Sequence, residues 1–142
     1  MEELDEQLMK EKKLMNLFKQ VAGLIDHLEQ YLVHDMEEDE VKALEKKIEK
    51  YLGTIKNMLK RDEKFFKKHV KEFIERDRLS KKEVKELPKL SHEAVSDINK
   101  LIDAINELLR KPNEGLIDWI GDLVKSIEKL MKEKIDLASK LE

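Results

Sequence analysis

The stretch from Ser91 to Arg110, SHEAVSDINKLIDAINELLR, decides the fold. Its apolar residues Val95, Ile98, Leu101, Ile102, Ile105, Leu108 and Leu109 recur at steps of three and four. That spacing lines one face of an α-helix. Ser91 stands where an N-cap is favoured, and Arg110 and Lys111 occupy the last turn, where cations suit the negative end of the helix dipole. The next segment, Lys111-Pro-Asn-Glu-Gly115, is the strongest turn signal in the chain. Beyond it Leu116, Ile120, Leu123, Ile127, Leu130 and Leu137 resume the same period. They predict a last helix reaching nearly to Leu141.

The period also holds toward the N-terminus. Leu4, Leu8, Met15, Phe18, Ala22, Ile25, Leu28 and Leu32 mark a first helix, with one gap in the stripe filled by Glu11. Val41, Leu44, Ile48, Tyr51, Ile55 and Met58 form a second series out of phase with the first, so the register breaks between residues 34 and 40. Asp35 and Glu38 are spaced as a capping box at that break, predicting an αα-hairpin. The second series keeps its phase through Phe65 or Phe66, Val70, Phe73 and Ile74, and Asp62 alone interrupts it. It reads either as one helix of about 38 residues, about 57 Å long, or as two helices broken near Asp62. Ser80 and Glu83 form a second capping box, opening a short helix at 81–87 that Pro88 ends. No segment alternates as a strand does. The sequence predicts an all-α chain, a single antiparallel helical-bundle domain over 1–142 with coiled-coil-like packing.

Lengths then pose a problem. A third helix starting at Ser91 is about half as long as an unbroken second one, whose excess would leave an apolar stripe uncovered. Either the second helix kinks near Asp62 or a second copy covers it, and a homodimer is the expectation.

Composition narrows the function. The chain has 142 residues with no Cys, four Gly and two Pro, and 43% of it is charged. No apolar run approaches the ~18 residues of a membrane span, and the start Met-Glu-Glu-Leu-Asp is too acidic for a signal peptide. Absence of Cys removes disulfides, thiolate metal sites and cysteine nucleophiles and suits a reducing cytosol, so the chain reads as cytoplasmic. The 25 Lys against four Arg, with abundant Glu, match both a thermophile's surface and any well-solvated helical bundle.

Motifs of catalysis are missing as well. No Walker loop, Gly-x-Gly-x-x-Gly, nucleophile elbow or His-Glu-x-x-His occurs. The Glu-x-x-His pair of carboxylate-bridged di-iron bundles is absent, because Leu24, Tyr31, Phe66 and Lys89 stand three residues before the four histidines. His27 and His34 lie about 10 Å apart along one helix, too far to share an ion. Asp62 reads as a cap or a register-setting polar residue. No catalytic residue, metal ligand, cofactor or small-molecule substrate is expected.

Charge is segregated along the chain. Residues 1–40 carry a net −8, residues 41–91 a net +8 and residues 92–142 a net −3. Within the basic block Lys56, Lys60, Lys64, Lys67, Lys68 and Lys71 form a ridge on the polar face of the second helix. It reads first as the complement of the acidic first helix, with exposed rims that help choose the packing partner. It reads second as a polyanion- or partner-binding ridge, with Phe65 and Phe66 available to stack on bases. Ile120-Gly-Asp-Leu-Val-Lys125 in the last helix resembles a stretch of the delta-toxin type of membrane-lytic peptides. The resemblance implies a helix lying flat in a lipid interface. It spans six residues, and the polar face around it is rich in Asp and Glu, which anionic lipids repel.

These readings converge on a non-enzymatic helical-bundle protein acting through protein–protein contacts, as a small scaffold or adaptor or as a self-associating subunit. The alternative is a nucleic-acid-associated accessory protein that uses the lysine ridge.

Overall fold

A computed structural model describes residues 2–34 and 37–142. Among them are five helices and no strand: α1 (Glu2–Val33), α2 (Glu38–Lys68), α3 (Val70–Glu75), α4 (Lys81–Arg110) and α5 (Glu114–Ser139). The capping box read at Asp35 lies outside the described residues. The four long helices form an all-α bundle in which α1 packs on α2 and α5, and α4 packs on the same two. Helices α1 and α4 therefore sit on one diagonal, and α2 and α5 on the other.

Two boundaries differ from the sequence expectation. The short helix at 81–87 and the helix expected from Ser91 are one helix, α4, of 30 residues with Pro88 inside it. Proline there removes the hydrogen bond to the Val84 carbonyl. The stripe Val84, Leu87, Ser91, Ala94 and Ile98 is nevertheless buried without a change of phase, and packing of that continuous face outweighs one missing bond. The Ser80–Glu83 capping box opens this helix as expected. The Glu83 amide donates to Ser80 Oγ at 3.1 Å, and the Ser80 amide donates to Glu83 Oε1 at 3.0 Å, which holds the Glu83 carboxyl below its usual range.

The second difference concerns where the second series breaks, because the single-helix reading holds through Asp62 but not to Ile74. Helix α2 runs straight through Asp62 and ends at Lys68, seven residues after Arg61. The break falls at His69, whose φ of −103° and ψ of 10° leave the helical region. Its amide still donates to the Phe65 carbonyl, and the Phe73 amide donates to the His69 carbonyl at 3.0 Å. The chain thus bends at His69 into α3, which packs on α4. With α2 and α4 at 31 and 30 residues, the length mismatch disappears and with it the reason for expecting a dimer.

The core is in two compartments. The larger holds 20 buried residues from Leu14, Phe18 and Leu28 of α1 through Ile48 and Leu59 of α2 to Ile98 and Leu108 of α4 and Ile120 and Met131 of α5. The smaller holds nine: Leu4, Leu8, Phe66, Phe73, Leu79, Val84, Leu87, Ala138 and Leu141. Ile120 and Leu123, the apolar half of the delta-toxin-like stretch, lie in the larger one. At the far end Asn113 caps α5, its Oδ1 accepting from the Leu116 amide at 2.9 Å.

Candidate functional site

Between the two compartments each long helix interrupts its apolar stripe with polar side chains. On α1, Gln7 and Glu11 lie between Leu4 and Leu14; on α2, Asp62 lies between Leu59 and Phe66; on α4, Ser91 lies between Leu87 and Ala94; on α5, Lys134 lies between Met131 and Ala138. All five are buried, with residue exposures of 5% or less. The layer falls near the start of α1 and α4 and near the end of α2 and α5, as antiparallel neighbours require.

Lys134 is the hub. Its ammonium donates to Glu11 Oε2 at 2.8 Å, to Asp62 Oδ2 at 3.2 Å and to Ser91 Oγ at 3.2 Å. Three N–H groups thus meet three acceptors from three other helices, the full donor inventory of a lysine. Gln7 closes the ring, its Nε2 donating to Glu11 Oε1 at 2.9 Å and to Asp62 Oδ1 at 2.6 Å. Among the described residues no buried side-chain nitrogen or oxygen lacks a hydrogen-bond partner.

Charge in this layer does not balance if every group is ionised, because two carboxylates face one ammonium. Burial pushes the Glu11 carboxyl up from 4.5 to about 8. Lys134 pulls in the opposite direction, and the neighbouring Asp62 carboxylate adds to the rise. Burial thus favours the protonated form of Glu11, which relieves the imbalance of two carboxylates against one ammonium.

The sequence singled out Glu11 as a gap filler and Asp62 as a cap or register residue. The structure joins them through Lys134, which sequence reasoning missed. Its one signal was phase: the buried series Ile127, Met131, Lys134, Ala138 and Leu141 puts the lysine on the seam. Ser91, read as a helix cap, is instead an interior acceptor.

The lysine ridge is partly assembled. Lys60, Lys64, Lys67, Lys68 and Lys71 are exposed and Lys56 is half-buried. Lys71 stands on α3, beyond the bend, and Lys67 pairs with Glu63 at 3.1 Å. Lys67 also lines an open groove of about 410 Å³ between α2 and α4, together with Glu63, Lys85, Lys89 and His92. The phenylalanines beside the ridge are occupied. Phe66 is fully buried, and Phe65 packs against Phe66, His69 and Phe73 with ring centroids 5.4, 4.5 and 6.2 Å away. Nor do the rims of α1 and α2 lock together by ion pairs. Outside the buried layer no ion pair joins α1 to α2 among the described residues; Glu3 Oε2 instead lies 3.7 Å from Nε2 of His69 at the bend after α2.

Three other features complete the surface. Trp119, the sole tryptophan, is 46% exposed and lines a groove with Lys100, Asp103, Ala104, Glu107 and Leu116. Among the described residues no cluster of three or more His, Asp or Glu is placed to hold a metal ion. No described helix is long and apolar enough to cross a membrane.

No protein-family model, curated protein or solved structure matches this chain.

Proposed function

We propose that this chain is a non-catalytic helical bundle that works through protein–protein contacts, as a small scaffold or adaptor or as a self-associating subunit in the cytoplasm. The observation that carries the reading is the contrast between its interior and its surface. The strongly interacting ionisable groups, Glu11, Asp62 and Lys134, are at most 4% exposed and satisfy one another, so they face no substrate. Meanwhile Trp119, the residue type most enriched at interface hot spots, stays open on the α4–α5 face. The groove around it carries both signs of charge with an apolar floor, the composition of a protein contact rather than of a lipid or phosphate site.

A photo-crosslinking amino acid at position 119, with exposed Lys12 as the control position, tests this in cells that make the protein. A discrete protein adduct from position 119 and none from position 12 is expected. Absence of an adduct at 119, or equal labelling from both positions, overturns the reading.

Nucleic-acid association stays as a second reading because Lys60, Lys64, Lys68 and Lys71 are exposed and Lys85 and Lys89 extend the basic surface across the α2–α4 groove. Phosphate contacts alone would carry it, since the phenylalanines are packed. It requires a salt-sensitive affinity that Gln at 60, 64, 67 and 71 abolishes.

A further inference from the structure

The polar layer divides the interior into unequal parts, and its charge count differs between its protonation states. We propose that it is a proton-controlled joint: loss of the Glu11 proton to solvent opens the smaller compartment, while the larger core stays closed.

The geometry supports this in three ways. First, the layer spans α1, α2, α4 and α5, and beyond it the start of α1, the end of α2, α3, the start of α4 and the end of α5 share a separate apolar compartment. Second, the cationic and amide donors of the layer are all engaged. Lys134 donates to Glu11, Asp62 and Ser91, and the Gln7 amide donates to both carboxylates. A second negative charge therefore meets no further compensation. Third, the smaller compartment has nine buried apolar residues against 20 in the larger, so less apolar burial holds it shut, and local opening draws on the least stable units.

The groups facing Glu11 are Gln7 on its own helix, Asp62 from α2 and Lys134 from α5, while α4 brings the uncharged Ser91 to the same ammonium. Helix α3 brings no group into the layer. Asp62 and Lys134 act in opposite directions on the proton, and burial, the largest influence, favours keeping it. Opening hydrates Glu11 and releases the proton. The opening equilibrium accordingly rises with pH until the closed state itself deprotonates near pH 8. What opens carries Phe66 and Phe73, two of the largest fully buried side chains.

Hydrogen exchange of the full chain near pH 5 and near pH 8.5, corrected for intrinsic rates, tests the proposal, with Glu11→Gln alongside. Amides of residues 4–8, 70–75 and 137–141 are expected to lose at least about tenfold in protection relative to those of 18–28 and 98–108. Glu11→Gln, which cannot ionise, is expected to lose that difference. Equal change in both compartments, no change in either, or an unaltered difference in Glu11→Gln overturns the joint. Binding of an apolar dye by the unsubstituted chain gives a readout that does not depend on the variant folding. Emission is expected to rise between the two pH values, and a flat response counts against the proposal.

Discussion

Lys134 Nζ lies 2.8 Å from Glu11 Oε2, and both side chains are 1% exposed. This pair ties the last helix to the first across the interior, and Asp62 draws the second helix into the same contact at 3.2 Å. A charge so deep is retained at a cost in desolvation, and its worth depends on every partner being present.

Removing the hub is therefore expected to be severe. Lys134→Met leaves two carboxylates sharing a dry site and should lower stability by about 3–5 kcal/mol, read by urea denaturation. Replacing Gln7, Glu11, Asp62 and Lys134 together by Leu, Met, Leu and Met removes the charged groups and their amide partner at once and leaves the Ser91 hydroxyl as the polar group of the layer. That combined variant should recover most of the loss, because an apolar layer of similar volume needs no compensation. Additive losses would show that the four side chains do not act as a network.

Stability should fall as pH rises, the reverse of the usual carboxylate effect. The Glu11 carboxyl titrates higher in the folded state, about 8 against 4.5, so the folded chain binds the extra proton between those values. Its contribution is complete below pH 4.5 and is lost progressively toward pH 8, at up to about 1.4 kcal/mol per pH unit. Chemical denaturation at a series of pH values measures the slope, and Glu11→Gln should flatten it.

Pro88→Ala tests the continuity of α4. The substitution restores an amide to the Val84 carbonyl, and a helix-interior proline costs about 3 kcal/mol. Loss of the buried ring's packing offsets part of that gain, leaving an expected increase of about 1–2 kcal/mol. A loss of stability would mean that the helix needs the proline where it stands.

At the ends of the helices the effects should be smaller. Ser80→Ala removes an acceptor for the Glu83 amide and Asn113→Ala one for the Leu116 amide, each costing about 1 kcal/mol. Thermal unfolding of the two single variants and the double one should show additive shifts, since the caps belong to different helices.

Local features of this fold were legible in the sequence and nonlocal ones were not. The three-and-four period gave an all-α bundle, and the Ser80–Glu83 box and the turn at 111–115 gave two helix starts. Pro88 misled because the rule for residues before proline is local, whereas the stripe from Val84 to Ile98 is held by packing on α2 and α5. A one-residue phase error, about a quarter turn, affected α1, where Leu14 and Val21 are buried in place of Met15 and Ala22. Glu11 and Asp62 were both visible as interruptions of apolar stripes. Their meaning was not, because the ammonium that joins them lies 72 residues beyond Asp62, on a helix where a lysine passes for a solvated one. On the ridge, sequence put six lysines on one helix face, of which Lys56 is half-buried and Lys71 lies beyond the bend on α3, and it could not show that Phe65 and Phe66 are committed to packing.

The carbon-13 shift of the Glu11 side-chain carboxyl, followed from acid to alkaline pH in the folded chain, tests the protonated layer most directly. The structure predicts a midpoint near pH 8, with a protonated carboxyl at neutrality. A midpoint at 4.5, the ordinary value, would contradict it and show that Lys134 stabilises two carboxylates at once.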